Sequence, residues 1–199
     1  MITVSSALKG ELQPLFEYFK IKNKINIEGG SLYIVNDKLH LLRCGVGGAR
    51  CLKSLSAYFK AYATDGLINI GTAGIIRQGI EPGEIFSIVK IYGRKNKKKY
   101  ELQDDGDFYK ASLLSVDEPL TDIELRNEYF GRYGIDLVDM EAWYCAQLAD
   151  EHKIKFISWK IASDYADSNT QEDFLKNYKW LTQKLARNII PMLSKRLVK

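Results

Sequence analysis

The sequence predicts an α/β fold, a single domain over residues 1–199 with a mixed, largely parallel central sheet flanked by helices. Two observations carry this. Short apolar segments and segments of helical periodicity alternate along the whole chain. Neither an internal repeat nor a low-complexity tract interrupts them, and 199 residues is the length of one domain.

The elements follow in order. Ile2 to Ala7 reads as a strand, and Gly10 to Phe19 as a short helix with Pro14 near its first turn. Ser31 to Asn36 and Lys38 to Cys44 read as strands joined at Asn36-Asp37. Gly48 to Tyr62 is helical, because Leu52, Leu55, Tyr58 and Phe59 share a face. Gly66 to Ile70 is a short apolar strand that ends at a Gly71-Thr72-Ala73-Gly74 turn. Glu84 to Ile91 and Ala111 to Val116 are further strands. Thr121 to Tyr133 is a helix opened by a Thr121/Glu124 capping box. Asp136 to Asp139 is a strand. Met140 to His152 is a helix whose buried stripe of Ala142, Cys145, Ala146 and Ala149 implies close packing on a sheet. Lys155 to Ala162 is a strand. A last helix runs from about Gln171 to Leu197, with Pro191 kinking or shortening it.

Composition narrows the function. The chain is 46% hydrophobic and 27% charged, a globular balance. No apolar run approaches the roughly 20 residues that a bilayer requires, so no membrane partner is expected. Met1-Ile2-Thr3-Val4 leads directly into a strand, which does not resemble a secretory leader. Three cysteines and two histidines give neither a disulfide framework nor a metal spacing, and they suit a reducing, cytoplasmic setting. A net charge of +4 is too mild for a nucleic-acid partner. The basic run Arg94 to Lys99 contains no aromatic and is followed by Asp104, Asp105 and Asp107; it reads as a solvated loop, with an anion-steering patch as the alternative.

In α/β sheets ligands gather at the carboxyl ends of strands. Four strand exits stand out: Ser5 to Glu11, Gly45-Val46-Gly47-Gly48, Gly71 to Gly74, and the paired Val138-Asp139-Met140-Glu141-Ala142 and Ser163-Asp164-Tyr165-Ala166-Asp167. Gly45 to Gly48 does not complete a dinucleotide fingerprint, because Arg50 stands where the third glycine belongs. At the third exit, backbone amides and the Thr72 hydroxyl suit an anion, water or sugar oxygen. Glu11, Glu141 and Asp164 are acids beside strand ends, and each alone reads as a surface or capping carboxylate. At the helix start of Glu141, the dipole favours the ionised form. Together the three suit cleavage of a sugar–purine C–N bond. One carboxylate activates water, one holds the sugar diol, and one protonates the leaving base.

These residues resemble the nucleoside phosphorylase superfamily, and most of all its methylthioadenosine/S-adenosylhomocysteine nucleosidase branch. The resemblance runs nearly end to end. It comprises Ser6 to Glu11, Gly45-Val46-Gly47, Asn69 to Gly74, Pro82 to Ile85, Val138 to Ala142 and Ser163 to Asp167. It implies catalytic roles for Glu11, as general base on water, and for Asp164, as the acid at purine N7. It implies substrate-binding roles for Glu141 on the ribose hydroxyls, Met140 beside the sugar and Ser163 orienting Asp164. Thr72, Gly74 and Leu120 complete the expected binding set. No metal or organic cofactor is expected, and the partners are a small nucleoside and a second copy in a homodimer.

The resemblance also implies hydrolysis over phosphorolysis, since Asn69 stands where the phosphorylases carry an arginine; Arg43, Arg50 or a neighbouring subunit keep phosphorolysis open. A nucleoside-binding protein without catalysis is the third reading. Three features depart from the family pattern. Lys160 replaces an arginine, Ser115 to Leu120 brings no stacking aromatic, and the chain is short. Trp143, one turn from Glu141, is expected in the core, with a dimer interface as the alternative.

Overall fold

A computed structural model describes residues 1–94, 96–103 and 108–198. Ten strands and five helices occur among them: β1 Ile2–Ser6, α1 Lys9–Tyr18, β2 Asn23–Ile27, β3 Gly30–Ile34, β4 Leu39–Arg43, α2 Gly48–Ala61, β5 Gly66–Ile75, β6 Ile85–Gly93, β7 Asn96–Glu101, β8 Tyr109–Ser115, α3 Ile123–Tyr133, β9 Leu137–Asp139, α4 Ala142–Glu151, β10 Lys155–Ala162 and α5 Thr170–Val198.

One mixed sheet joins all the strands, in the order β10-β6-β8-β9-β5-β1-β4-β3-β2, with β7 added to β6. Because β10 also pairs with β5, the first five strands of this order close on themselves, and β1, β4, β3 and β2 extend from the ring as an open wing. Parallel pairing runs through the middle, β4 to β1 to β5 to β10, so these strands share one direction. Half of the ten strand pairings are parallel and half antiparallel, so the sheet is less parallel than the sequence implied. The antiparallel half comes from hairpins at β2–β3, β3–β4 and β6–β7, the return of β9 beside β5, and the pairing of β10 with β6.

Helices cover both faces. Leu12 and Leu15 of α1 and Leu181, Leu185 and Ile189 of α5 pack with Val4, Ile68 and Trp159 of the sheet. On the other face Cys51 and Leu55 of α2 and Cys145 and Ala149 of α4 enclose Leu42 and Leu67. The small residues of α4 allow this close approach, as their spacing suggested. Trp143 is buried and meets Tyr100 and Tyr144, which makes it a core residue. Helix α3 buries none of its residues and rests on the rest through Leu125 and Tyr129.

Several expectations are corrected. Gly71 to Gly74 is no turn: β5 runs on to Ile75, because Ser163 and Asp164 continue the backbone pairing along it. The cap of α3 is Asp122, whose carboxylate accepts from the N–H groups of Glu124 and Leu125, so Thr121 is not used. Pro191 does not shorten α5, which continues to Val198. The segment read as a basic loop forms edge strand β7, and its Lys98 pairs with Asp150 at 2.9 Å. Lys95, Asp104, Asp105 and Asp107 lie outside the described residues. No helix of the described residues is long and apolar enough to cross a membrane.

Candidate active site

The strand exits chosen from the sequence converge on one cavity of about 160 Å³. Glu11, Thr72, Gly74, Leu120, Met140, Glu141, Ser163 and Asp164 all line it. The catalytic and substrate-binding candidates are therefore neighbours, although they come from five parts of the chain.

Glu11 sits in the first turn of α1, where its carboxylate accepts from the Leu8 N–H at 3.1 Å as half of a capping arrangement. The same oxygen accepts from Ser6 Oγ at 2.5 Å, and the other accepts from Thr72 N at 2.9 Å and Thr72 Oγ1 at 3.0 Å. Both Thr72 donors are thus spent on Glu11; neither is left for an anion or sugar. Gly71 makes this approach possible, since a Cβ there would lie 2.9 Å from Glu11 Oε1.

Glu141 is the N-cap of α4, yet its side chain makes no capping bond. Its Oε1 accepts from the Gly47 N–H at 2.6 Å. Gly47 has φ +86°, a conformation that L side chains rarely adopt, and this turn aims the N–H at the cavity. The helix start was expected to keep Glu141 ionised. Instead burial, followed by the charge of Asp139, pushes its pKa up to about 8, against the pull of Lys160 and the Gly47 N–H.

Asp164 follows β10 directly. Its Oδ2 accepts from Ser163 Oγ at 2.5 Å, and its Oδ1 accepts from Ala166 N and Thr170 Oγ1, both at 3.1 Å. Burial raises the pKa from the ordinary aspartate value despite these three donors. Ser163 Oγ also lies 3.1 Å from the Ala73 carbonyl. One hydroxyl carries one proton, so when Ala73 takes it, Ser163 is left to accept a proton from a neutral Asp164. Gly74 keeps this corner open: a Cβ there would stand 3.1 Å from Asp164 Oδ1.

Sequence reasoning missed part of the lining. Lys160 faces the cavity from inside β10, fully buried, with Nζ 2.8 Å from Asp139 Oδ2. Burial opposes its charge, but Asp139, Glu141 and Glu11 outweigh burial and raise its pKa. The departure noted in the sequence, lysine for arginine, marked this position without revealing its partner. Phe174 of α5 brings an aromatic side chain that the Ser115 to Leu120 segment lacks. Its place in an amphipathic helix concealed this. Val46 and Val116 add apolar wall beside the expected Leu120 and its neighbour Pro119. Neither Arg43 nor Arg50 lines the cavity, and Asn69 is buried elsewhere, between Ser5 and Ser158.

Comparisons with known proteins agree with this architecture. The family model described as "Phosphorylase superfamily" matches residues 101–194. The 5′-methylthioadenosine/S-adenosylhomocysteine nucleosidase of Buchnera aphidicola is 27% identical over 207 residues, covering 87% of this chain and 81% of the relative. Among solved structures, a Helicobacter pylori methylthioadenosine nucleosidase variant holding 5′-methylthioadenosine superposes with TM-score 0.88 at 12% identity, covering 98% of each chain. The futalosine hydrolase of Helicobacter pylori gives TM-score 0.89 at 13% identity, covering 98% of this chain and 97% of the other. The family match over residues 101–194, the sequence relative and these superpositions over nearly the whole length agree: the chain is similar to the phosphorylase superfamily and shares the fold of these nucleosidases.

Proposed function

We propose that this protein is a nucleosidase that hydrolyses the N-glycosidic bond of a purine nucleoside to free base and sugar. Its substrate carries a modified 5′ position, of the methylthioadenosine or S-adenosylhomocysteine kind. The observation that carries this reading is the meeting of Glu11, Glu141 and Asp164 around one cavity. The nucleosidase relatives support the same chemistry.

In this mechanism Glu11 is the base. Thr72 and Ser6 fix its carboxylate, so that it takes a proton from water as the C–N bond lengthens. Glu141 accepts hydrogen bonds from the ribose hydroxyls, and Met140 packs beside the sugar. Asp164 is the acid. Burial favours its protonated form, from which it gives a proton to N7 of the departing purine, and Ser163 sets its orientation. The apolar wall of Val116, Pro119 and Leu120, with Phe174, encloses the base and the 5′ group.

Water is favoured over phosphate as nucleophile by charge. Among the described residues the lining holds four carboxylates, Glu11, Asp139, Glu141 and Asp164, and one cation, Lys160, already paired with Asp139. A phosphate dianion would meet net negative charge and no arginine fork.

The protein works as a cytoplasmic homodimer in this reading. Buried free cysteines suit a reducing compartment, and the exposed apolar residues Val46, Ile123 and Phe130 suit a subunit contact. The deciding experiment incubates the protein with a nucleoside panel, with and without phosphate, and identifies both products. Free base and free sugar at a phosphate-independent rate are expected. A sugar 1-phosphate would replace hydrolysis with phosphorolysis, and tight binding without product would mean a binding protein. Light scattering of the eluting species tests the dimer.

A further inference from the structure

Glu141 occupies the N-cap of α4 but does none of the capping. Side chains in that position ordinarily accept from the first free N–H groups of the helix. Here two other residues do so. The Ala142 N–H donates to Asp139 Oδ2 at 3.0 Å, and the Trp143 N–H donates to Ser115 Oγ at 2.9 Å. Ser115 in turn donates to Asp139 Oδ1 at 2.6 Å, across the parallel β8–β9 pair in which the two residues are in register. Lys160 closes the arrangement on Asp139 Oδ2. Every polar atom of this buried group has a partner, the condition under which such a network fixes geometry.

We propose that Asp139 and Ser115 form a substitute cap that releases the Glu141 carboxylate for the sugar, with Lys160 as the counter-ion that lets two carboxylates stand two residues apart. Asp139 and Ser115 are positioning residues: they act on the nucleoside through Glu141. This inference rests on the proposed nucleosidase reading, in which Glu141 accepts from the ribose hydroxyls. Without Asp139, Glu141 is the nearest acceptor for the start of α4 and turns away from the cavity to fill that place.

The test compares a ribonucleoside with its 2′-deoxy analogue, in the wild type and in Asp139→Ala, Ser115→Ala and Glu141→Ala. Leaving the buried Glu141 acceptor without its partner corresponds to a wild-type preference for the ribonucleoside of about 5- to 100-fold in kcat/KM. In Asp139→Ala the preference is expected to fall to that of Glu141→Ala, and the double variant should lose no more. Ser115→Ala, which keeps Asp139 and its lysine, should lose part of it; it also serves if Asp139→Ala fails to fold. A variant that is merely damaged slows on both substrates alike and keeps the ratio, and that result in both single variants overturns the proposal. So does a wild type that does not distinguish the two sugars while still releasing base, which leaves the nucleosidase reading standing. A wild type that cleaves no nucleoside overturns both.

Discussion

Thr72 donates twice to a single carboxylate oxygen of Glu11, through its backbone N–H at 2.9 Å and its hydroxyl at 3.0 Å. The backbone donor is fixed by β5, whereas the hydroxyl can be removed with little change of shape. Thr72→Val is expected to lower kcat about 10- to 100-fold, the cost of one hydrogen bond to a charged group. Glu11→Gln is expected to lower it by about 10²- to 10⁴-fold. Steady-state kinetics beside thermal melts checks this. Unchanged turnover in Glu11→Gln would remove that residue from the mechanism.

In the proposed mechanism Asp164 serves as an acid only while it holds a proton, and burial lifts its pKa. The kcat profile should therefore fall as pH rises through that raised value. In Asp164→Asn turnover is expected to drop by about 10²- to 10⁴-fold and the alkaline limb to disappear. A pH–rate series on both proteins decides the point; an identical limb in the variant would assign it to another group.

Glu141 has a consequence for stability. Its pKa of about 8 lies above that of an exposed glutamate, so the folded protein binds more protons than the unfolded chain between roughly pH 4.5 and 8. Stability from this residue therefore declines as pH rises through that window, by at most about 1.4 kcal/mol per pH unit. Glu141→Gln should flatten the slope. Denaturant titrations at pH 5.5 to 8, a range of about two to three units inside the linkage window, measure it. A wild type that gains stability over this interval would contradict the burial argument.

Two glycines make a paired prediction. A Cβ on Gly48 would stand 2.2 Å from the ring of Tyr144, whose hydroxyl donates to Asp117 at 2.6 Å. Gly48→Ala must displace a tethered ring and is expected to cost about 1–3 kcal/mol. Gly131, inside α3, has open space at its Cβ position, so Gly131→Ala should stabilise by about 0.5–1 kcal/mol. Melting temperatures of the two variants should move in opposite directions.

What was legible in the sequence follows from physics. Buried strands such as β1 and β10 carry apolar residues at alternate positions, Ile2 and Val4 in one and Ile157, Trp159 and Ile161 in the other, and read directly. Strand β2, Asn-Lys-Ile-Asn-Ile, is an exposed edge carrying polar side chains, and β7 is a lysine-bearing edge. Such charges guard an edge against pairing with other chains, and they are the residues that make it look like a loop. In β5 the glycines suggested a turn, although one of them serves to admit the Glu11 carboxylate to a continuing strand. The three acids were visible because each follows a strand exit. Their support was not: Ser115 meets Asp139 only through strand register, and Lys160 reaches Asp139 from β10, a strand that does not neighbour β9.

The three acids are drawn from α1, the start of α4 and the exit of β10, and the wall of their cavity reaches Phe174. No local fragment contains all three, since Glu11 and Asp164 are brought together only when β10 pairs with β5. A growing chain would carry Glu11, the proposed base, long before Asp164, the proposed acid. Turnover should then switch on late in folding and vanish with the first cooperative loss of the sheet, which makes base release a reporter of global integrity.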